Sequence, residues 1–300
     1  MPLVTVIVPT YARPALLCRA IESVLRQTWQ RFEILVVDDC SPDDTAEVVR
    51  SFRDPRIHYL RHAVHRGRPG ASRNTGIRAA RGECLAFLDD DDEWRAIKLE
   101  RQLERMAQTG CDAVLCAWAG SSGRVWRHKR AYVRAADVRR GNEYAPGSAL
   151  LVRAAVMRDC LFDESMEAGE DWDVLIRLAL RGAIAYAPES LLVVNEGGHR
   201  RMTNRARGRS VAEIDRRITV VRKHSEFFGG FWYRRHLAAA LLSYIWERKG
   251  KGRRFAYALR QCGPLPVAMV LGAKVRDRLR LAARFRPGTA NRISDSPPNT

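Results

Sequence analysis

Four consecutive aspartates, Asp89-Asp90-Asp91-Asp92, follow the short apolar run Cys84-Leu85-Ala86-Phe87-Leu88. The run is bounded by Arg81-Gly82 and reads as a buried strand. Adjacent carboxylates repel one another and call for a counter-ion. Clustered hard oxygen donors suit Mg²⁺ or Mn²⁺, ions that bridge protein carboxylates and substrate phosphates. In open α/β sheets, ligands sit beyond the carboxyl ends of the strands. One reading is therefore a metal and phosphate site at a strand end. The other is a solvated acidic turn that caps a helix over Glu93 to Ala107.

Two further stretches carry candidate chemistry. Gly169-Glu170-Asp171-Trp172-Asp173 precedes Leu175, Leu178 and Ala179, which share a helical face. Acids at a helix mouth interact well with its dipole, which accounts for one of them. Two adjacent acids there could also supply a general base. The stretch from His65 to Gly76 combines glycines with Arg66, Arg68 and Arg73 ahead of a short helix expected over Ile77 to Ala80. Backbone N–H groups and Arg side chains suit an anion such as a diphosphate, although an ordinary loop reads the same way. Neither a GK[ST] ending nor a GxGxxG after the first strand is present. His199 follows Asn195-Glu196-Gly197-Gly198 and matters only if the fold brings it near Asp91.

Positioning these groups requires strands that end where they begin. Val4 to Val8 is a β-branched run that stops at Pro9-Thr10-Tyr11. Pro14 can open a helix, and Leu17, Ile21, Val24 and Leu25 continue it to about Thr28. Phe32 to Val37 is a second strand ending in Asp38-Asp39, Thr45 to Phe52 a helix, and Ile57 to Leu60 a third strand. This β-α-β-α-β order predicts a parallel sheet with right-handed crossovers. Further on, Ala113 to Trp118 and Ala149 to Val152 read as strands and Arg153 to Cys160 as a helix. Ile184 to Ala187 and Leu191 to Val194 read as two short strands, while Gly120 to Asn142 reads as a hairpin or an acceptor-side loop. The fold class is α/β, with a mostly parallel central sheet and a Rossmann-like half.

The charge is unevenly placed. Residues 1–200 hold 29 Lys and Arg against 28 Asp and Glu, whereas residues 201–300 hold 23 against 6. The net +18 thus belongs to the last third, which could meet nucleic acid, an anionic membrane surface or an acidic partner. The seven cysteines form no CxxC pair and several lie in apolar runs, which favours a reducing compartment. Met1 to Arg13 lacks a basic region ahead of its apolar run, so no signal peptide is expected, and no apolar stretch reaches the length of a membrane span.

In order along the chain stand Pro9-Thr10-Tyr11-Ala12-Arg13, Val37-Asp38-Asp39-Cys40-Ser41, Gly70-Ala71-Ser72-Arg73-Asn74-Thr75-Gly76, Phe87-Leu88-Asp89-Asp90-Asp91-Asp92-Glu93-Trp94 and Glu170-Asp171-Trp172-Asp173. Together they resemble the family 2 glycosyltransferases, which have the glycosyltransferase A fold, over roughly residues 3–205. The resemblance implies a nucleotide-sugar donor, most often a uridine one, and an inverting single displacement onto a hydroxyl of a glycan or lipid-linked acceptor. It implies a nucleotide pocket of Pro9, Thr10, Tyr11, Arg13 and Asp39, with Arg73, Asp89 and Asp90 at its diphosphate and ribose end. It places a metal on Asp91, with Asp92 as rival ligand and His199 nearby, and makes Asp171 the base with Glu170 beside it. The usual aromatic and Arg before the histidine are missing here. Synthesis of a surface polysaccharide from the cytoplasmic side, with peripheral attachment to the inner face of the membrane, follows as the expected setting.

The expected domains are a catalytic domain over 1–205, a basic amphipathic helical region over 206–286 and a polar, disordered tail over 287–300. Leu237, Leu241, Leu242 and Ile245 form one apolar stripe, and Leu271, Val275, Leu279 and Ala282 another, with Arg276, Arg280 and Arg284 on a different face. Helices of this kind lie on anionic bilayers or pack on a protein core. Two other function classes compete. A nucleic-acid-binding protein would explain the basic third but not the acidic clusters. A nucleotidyltransferase would want aspartates and metal, but also a basic Gly-rich motif after the first strand, which is missing.

Overall fold

The structure is a computed structural model that describes residues 1–142, 147–195, 214, 218–243, 245 and 250–284. The chain divides into two compact units, one of residues 1–205 with 222–227 and one of residues 206–221 with 228–300.

The first unit is built on one mixed sheet. In chain order its elements are β1 (Val4–Thr10), α1 (Pro14–Leu25), β2 (Phe32–Asp38), α2 (Thr45–Ser51), β3 (Ile57–Arg61), α3 (Pro69–Ala79), β4 (Cys84–Phe87), β5 (Asp92–Trp94) and α4 (Lys98–Thr109). There follow β6 (Ala113–Gly120), β7 (Val125–Trp126), β8 (Tyr132–Val133), α5 (Ala135–Val138), β9 (Leu151–Arg153), α6 (Ala154–Asp159), α7 (Glu170–Arg181) and β10 (Ile184–Val194); the next helix, α8 (Thr219–Lys223), belongs to the second unit up to residue 221 and to the first from residue 222. The strand order is β3-β2-β1-β4-β9-β6-β10-β5, with β7 on β6 and β8 on β10. β3, β2, β1 and β4 are mutually parallel, as are β6 and β10. The short β9 runs antiparallel between these two blocks. Every residue of β1 and β2 is buried, as a parallel strand covered on both faces requires.

Four local expectations change, each because a tertiary contact decides. β1 continues through Pro9 and Thr10, which pair with Val37 and Asp38. The Gly-rich stretch is not a loop. Helix α3 starts at Pro69, and its glycines serve close packing: a Cβ on Gly76 would stand 2.5 Å from Ile7 Cγ2, and one on Gly70 3.3 Å from Phe162 Cβ. The helix expected from Glu93 starts at Lys98, because Asp92–Trp94 is spent on an antiparallel ladder with Val194–Leu192. The two short strands near residue 190 are one strand, β10, irregular between Ala187 and Leu192 around Pro188. Residues 120–142 contain the β6–β7 hairpin, in which Trp118 pairs with Trp126, followed by β8 and α5.

The second unit contains α10 (Lys251–Cys262), α11 (Pro264–Arg284) and the later part of α9 (Ser225–Leu241), which is broken at Gly229 by a non-helical φ of 64°. Its core joins Ile214, Leu237, Leu241, Leu242 and Ile245 to Ala258, Cys262, Val267 and Val270. The first apolar stripe therefore faces inward. Among the described residues no helix is long and apolar enough to cross a membrane.

Candidate active site

The carboxyl ends of β1, β2 and β4 bring the motif residues together. Thr10, at the end of β1, donates its Oγ1 proton to Asp90 Oδ2 at 2.9 Å. Arg13 Nη1 donates to Asp90 Oδ1 at 3.1 Å and to Asp91 Oδ2 at 3.3 Å. Burial pushes the Asp90 carboxyl up to about 6 against the pull of Arg13.

Asp39, buried after β2, anchors the chain that follows β3. Its carboxylate accepts from the backbone N–H of Arg66 at 3.0 Å and of Gly67 at 2.7 Å. His62 Nδ1 lies 2.9 Å from Oδ1, and the far nitrogen of that ring meets Thr75 Oγ1 on α3 at 2.9 Å. The His65 ring stacks on Tyr11 with centroids 3.9 Å apart. Asp39, Tyr11 and the 62–67 segment thus form one corner. Pro9 is buried inside β1, two residues before Tyr11.

Helix α3 carries Arg73, which is 2 % exposed. Its Nη2 donates to Asp89 Oδ1 at 2.6 Å and its Nη1 to Glu170 Oε1 at 3.2 Å. Asp171 Oδ1 lies 3.2 Å from the same Nη1. The Phe162 ring lies beneath the guanidinium, 5.1 Å from centroid to Cζ. Burial alone would lower the Arg73 pKa, but Asp171, Asp89 and Glu170 outweigh it, so the guanidinium stays charged. One cation thereby joins the strand-end aspartates to the acids at the mouth of α7.

Helix α7 opens after Gly169, whose φ of 85° suits glycine, and has no side-chain cap. Its first turn contains Glu170, Asp171 and Asp173, and the helix dipole favours acids there. The environments of these acids differ. Burial raises the Asp171 carboxyl, to about 7, aided by Glu170 and Asp89 and opposed by Arg73. Asp173 is fully buried, yet Lys223 at 2.9 Å, His224 at 2.7 Å and Arg177 at 2.8 Å hold it below the usual range. Asp171 is therefore the acid tuned for proton exchange near neutrality, whereas Asp173 is a fixed anion that pins α7 to residues 223 and 224.

Among the described residues the carboxylates of Asp89, Asp91 and Asp92 have oxygens within 4.8 Å of one another. Hard oxygen donors at that spacing fit Mg²⁺ or Mn²⁺. Their surroundings are unequal. Asp92 is 3 % exposed; its Oδ2 accepts from Ser148 Oγ at 2.7 Å and its Oδ1 from Asn195 N at 3.3 Å. Asp92 is thus built into the wall, and Asp89 and Asp91 are the better-placed donors. His199 lies outside the described residues.

Ser148 carried no signal in the sequence. It is fully buried in the turn Gly147–Ala149 and accepts from the Asp89 N–H at 3.0 Å while donating to Asp92. Its carbonyl accepts from Trp94 Nε1 at 3.1 Å. Behind Trp94 the ammonium of Lys98, itself without exposure, sits 3.9 Å from the ring centroid. A Cβ on the preceding Gly147 would lie 3.0 Å from Asp171 Oδ1, so any side chain there would push the Asp171 carboxylate aside. One dipeptide therefore braces both the aspartate cluster and Asp171.

Comparison with known proteins agrees with this architecture. The model of the family "Glycosyl transferase family 2" matches residues 5–158. WcaA of Escherichia coli, named as a colanic acid biosynthesis glycosyl transferase, is 30 % identical over 210 residues, covering 65 % of this chain and 74 % of that protein. The UDP-Glc:alpha-D-GlcNAc-diphosphoundecaprenol beta-1,3-glucosyltransferase WfgD, also of Escherichia coli, is 44 % identical over 104 residues, 35 % of this chain and 41 % of that one. The structure of S. aureus TarS 1–349 in complex with UDP-GlcNAc has a TM-score of 0.67 at 21 % identity and covers 94 % of this chain and 87 % of that one. With motifs, site and topology in agreement, the chain belongs to glycosyl transferase family 2 and has the glycosyltransferase A fold.

Proposed function

We propose that this glycosyltransferase moves a sugar from a UDP-sugar to a hydroxyl of a lipid-linked or polysaccharide acceptor, with inversion, during synthesis of a surface polysaccharide. The observation that carries the reading is Arg73, buried between Asp89 on one side and Glu170 with Asp171 on the other. A donor bound at the strand ends and an acceptor bound at α7 would meet at that cation. The names of WfgD and TarS support a uridine donor, and that of WfgD a diphosphoundecaprenol acceptor.

In this reading Tyr11 and Asp39 receive the base, while Thr10, Arg13 and Asp90 shape the pocket towards the ribose and diphosphate. Asp89 and Asp91 would hold Mg²⁺ or Mn²⁺. When bound, the ion offsets the negative charge that grows on the departing diphosphate. Arg73 orients Asp89 and contributes its charge to the same end of the site. Asp171, kept poised near neutrality by burial against Arg73, takes the acceptor hydroxyl proton as the oxygen attacks the anomeric carbon from the face opposite the leaving group. No covalent intermediate is needed. Glu170 tunes Asp171 through its negative charge and its share of Arg73. The first unit, residues 1–205 with 222–227, is the catalytic domain, the second unit is its basic appendage, and the enzyme works peripherally at the cytoplasmic face of the membrane.

Calorimetric titration of UDP, GDP and dTDP with and without Mn²⁺ tests the reading. The expected result is metal-dependent binding of UDP that Asp39→Ala and Asp91→Ala abolish. Binding of none of the three by folded protein would overturn it.

A further inference from the structure

The helices of the second unit bury one side and leave another bare. On α11, Val267 and Val270 enter the core, 1 % and 5 % exposed. Leu265, Met269, Val275 and Leu279 point away from it, at 61, 43, 43 and 64 % exposure. At 100° per residue the last four fall within about one third of the helix circumference, with the small, exposed Ala268 and Gly272 between them. They form an apolar strip along this face, interrupted by the exposed Arg276, which falls between Leu265 and Met269 on the same arc. A groove of about 400 Å³ opens at its start, lined by Phe231, Arg234, Cys262 and Leu265 among others, and Phe231 is 39 % exposed.

Charge says what covers the strip. Residues 251–284 contain nine Lys and Arg against the single acid Asp277. Arg234, Arg253, Arg260, Arg276 and Arg278 are exposed. A protein partner would need an apolar groove rimmed almost wholly by carboxylates. Nucleic acid supplies the anions but nothing for a strip of leucine, methionine and valine. An anionic bilayer supplies both, acyl chains beneath a sheet of phosphates. We infer that the outer face of α11, with Leu265, Met269, Val275 and Leu279 as the inserting side chains and Arg276 and Arg278 as phosphate contacts, is an anionic-membrane docking surface. The inference deepens the proposal of a membrane-linked acceptor and rests on it only for its purpose. The apolar stripe at Leu237 to Ile245 takes no part, because it is core.

Flotation of the full chain with vesicles of phosphatidylcholine containing phosphatidylglycerol, at physiological salt, tests the surface. Wild type is expected to float with these vesicles and not with phosphatidylcholine alone. Arg276→Gln with Arg278→Gln is expected to weaken binding about 30-fold, at about fivefold for each charge. Leu265→Ser with Leu279→Ser is expected to weaken it at least tenfold without changing the melting temperature, since both side chains already face outward. Failure to float, or flotation that both double variants leave unchanged, overturns the inference. So does tighter salt-matched binding to DNA or RNA, or a concentration-dependent dimer that Leu265→Ser with Leu279→Ser dissociates in the absence of flotation. A parallel UDP titration separates the two readings: floating without nucleotide binding sinks the donor assignment alone, and nucleotide binding without floating sinks the surface alone.

Discussion

Arg73 and Glu170 act on Asp171 with opposite signs, and that sets a test. A base works only when deprotonated, so kcat/KM should rise with pH through the Asp171 pKa, near 7, and fall tenfold per unit below it. The guanidinium 3.2 Å away lowers that pKa. Opposite charges at such range are worth about 1–3 units. Arg73→Gln should therefore move the acid limb upward by that amount. At pH 7 the fraction of deprotonated base then drops about 5- to 500-fold, and activity should recover as pH is raised. Glu170 raises the same pKa and also occupies Arg73 Nη1. Glu170→Gln should move the limb downward and increase relative activity at pH 6. Because Arg73 is buried among three carboxylates, its variant must be shown folded by its melting temperature before its kinetics are read. The assay is a pH–rate profile of transfer to an acceptor with saturating metal. Limbs that stay put, or that move in the same direction in both variants, would refute the placement of the base.

Ser148→Ala strips the Asp89 N–H and Asp92 Oδ2 of a shared partner; Mn²⁺ affinity, read by electron paramagnetic resonance, should fall roughly 10-fold or more, and unchanged affinity would remove Ser148 from the site's support. Gly76→Ala pushes a methyl to 2.5 Å from Ile7 Cγ2 and should cost about 1–3 kcal/mol in urea unfolding, with a smaller cost in an Ile7→Ala background, where Cγ2 is gone. Asp163 is held near 2, chiefly by Lys223. Its folded pKa lies below the unfolded value, so the stabilisation is present above about pH 4 and is lost as pH falls through about 2. Lys223→Met should lower the melting temperature at pH 7, with the gap to wild type closing towards pH 2.

Much of this site is legible in the chain because parallel strands announce their ends. Apolar runs that stop at Pro9-Thr10, Asp38-Asp39 and Asp89 place three polar clusters at one sheet edge without knowledge of any contact. What stays hidden depends on partners remote in sequence. Gly70 and Gly76 look like loop residues until Phe162 and Ile7 are seen against them. Glu93 looks helical until β10 claims its backbone. Ser148 lies in a short turn with no motif, and its worth comes from Asp89 and Asp92, more than fifty residues earlier. Arg73 could be named, but its three carboxylate partners could not.

The antiparallel strand β9 lies between the parallel block β3-β2-β1-β4 and the block of β6 and β10. It marks a seam in the first unit, with the candidate nucleotide residues after β1 and β2 on one side and α7 with its acids on the other. Near the site, side chains cross it: Arg73 to Glu170 and Asp171, Asn74 to Phe162 and Glu164, Arg66 and Arg68 to Glu164, and Ser148 to Asp89. Such a seam lets the two halves diverge at different rates, provided that these side chains are kept. On the proposed reading, the acceptor side could change while the donor side is kept. A chimaera that exchanges residues 110–195 between relatives should inherit acceptor choice from one parent and donor choice from the other.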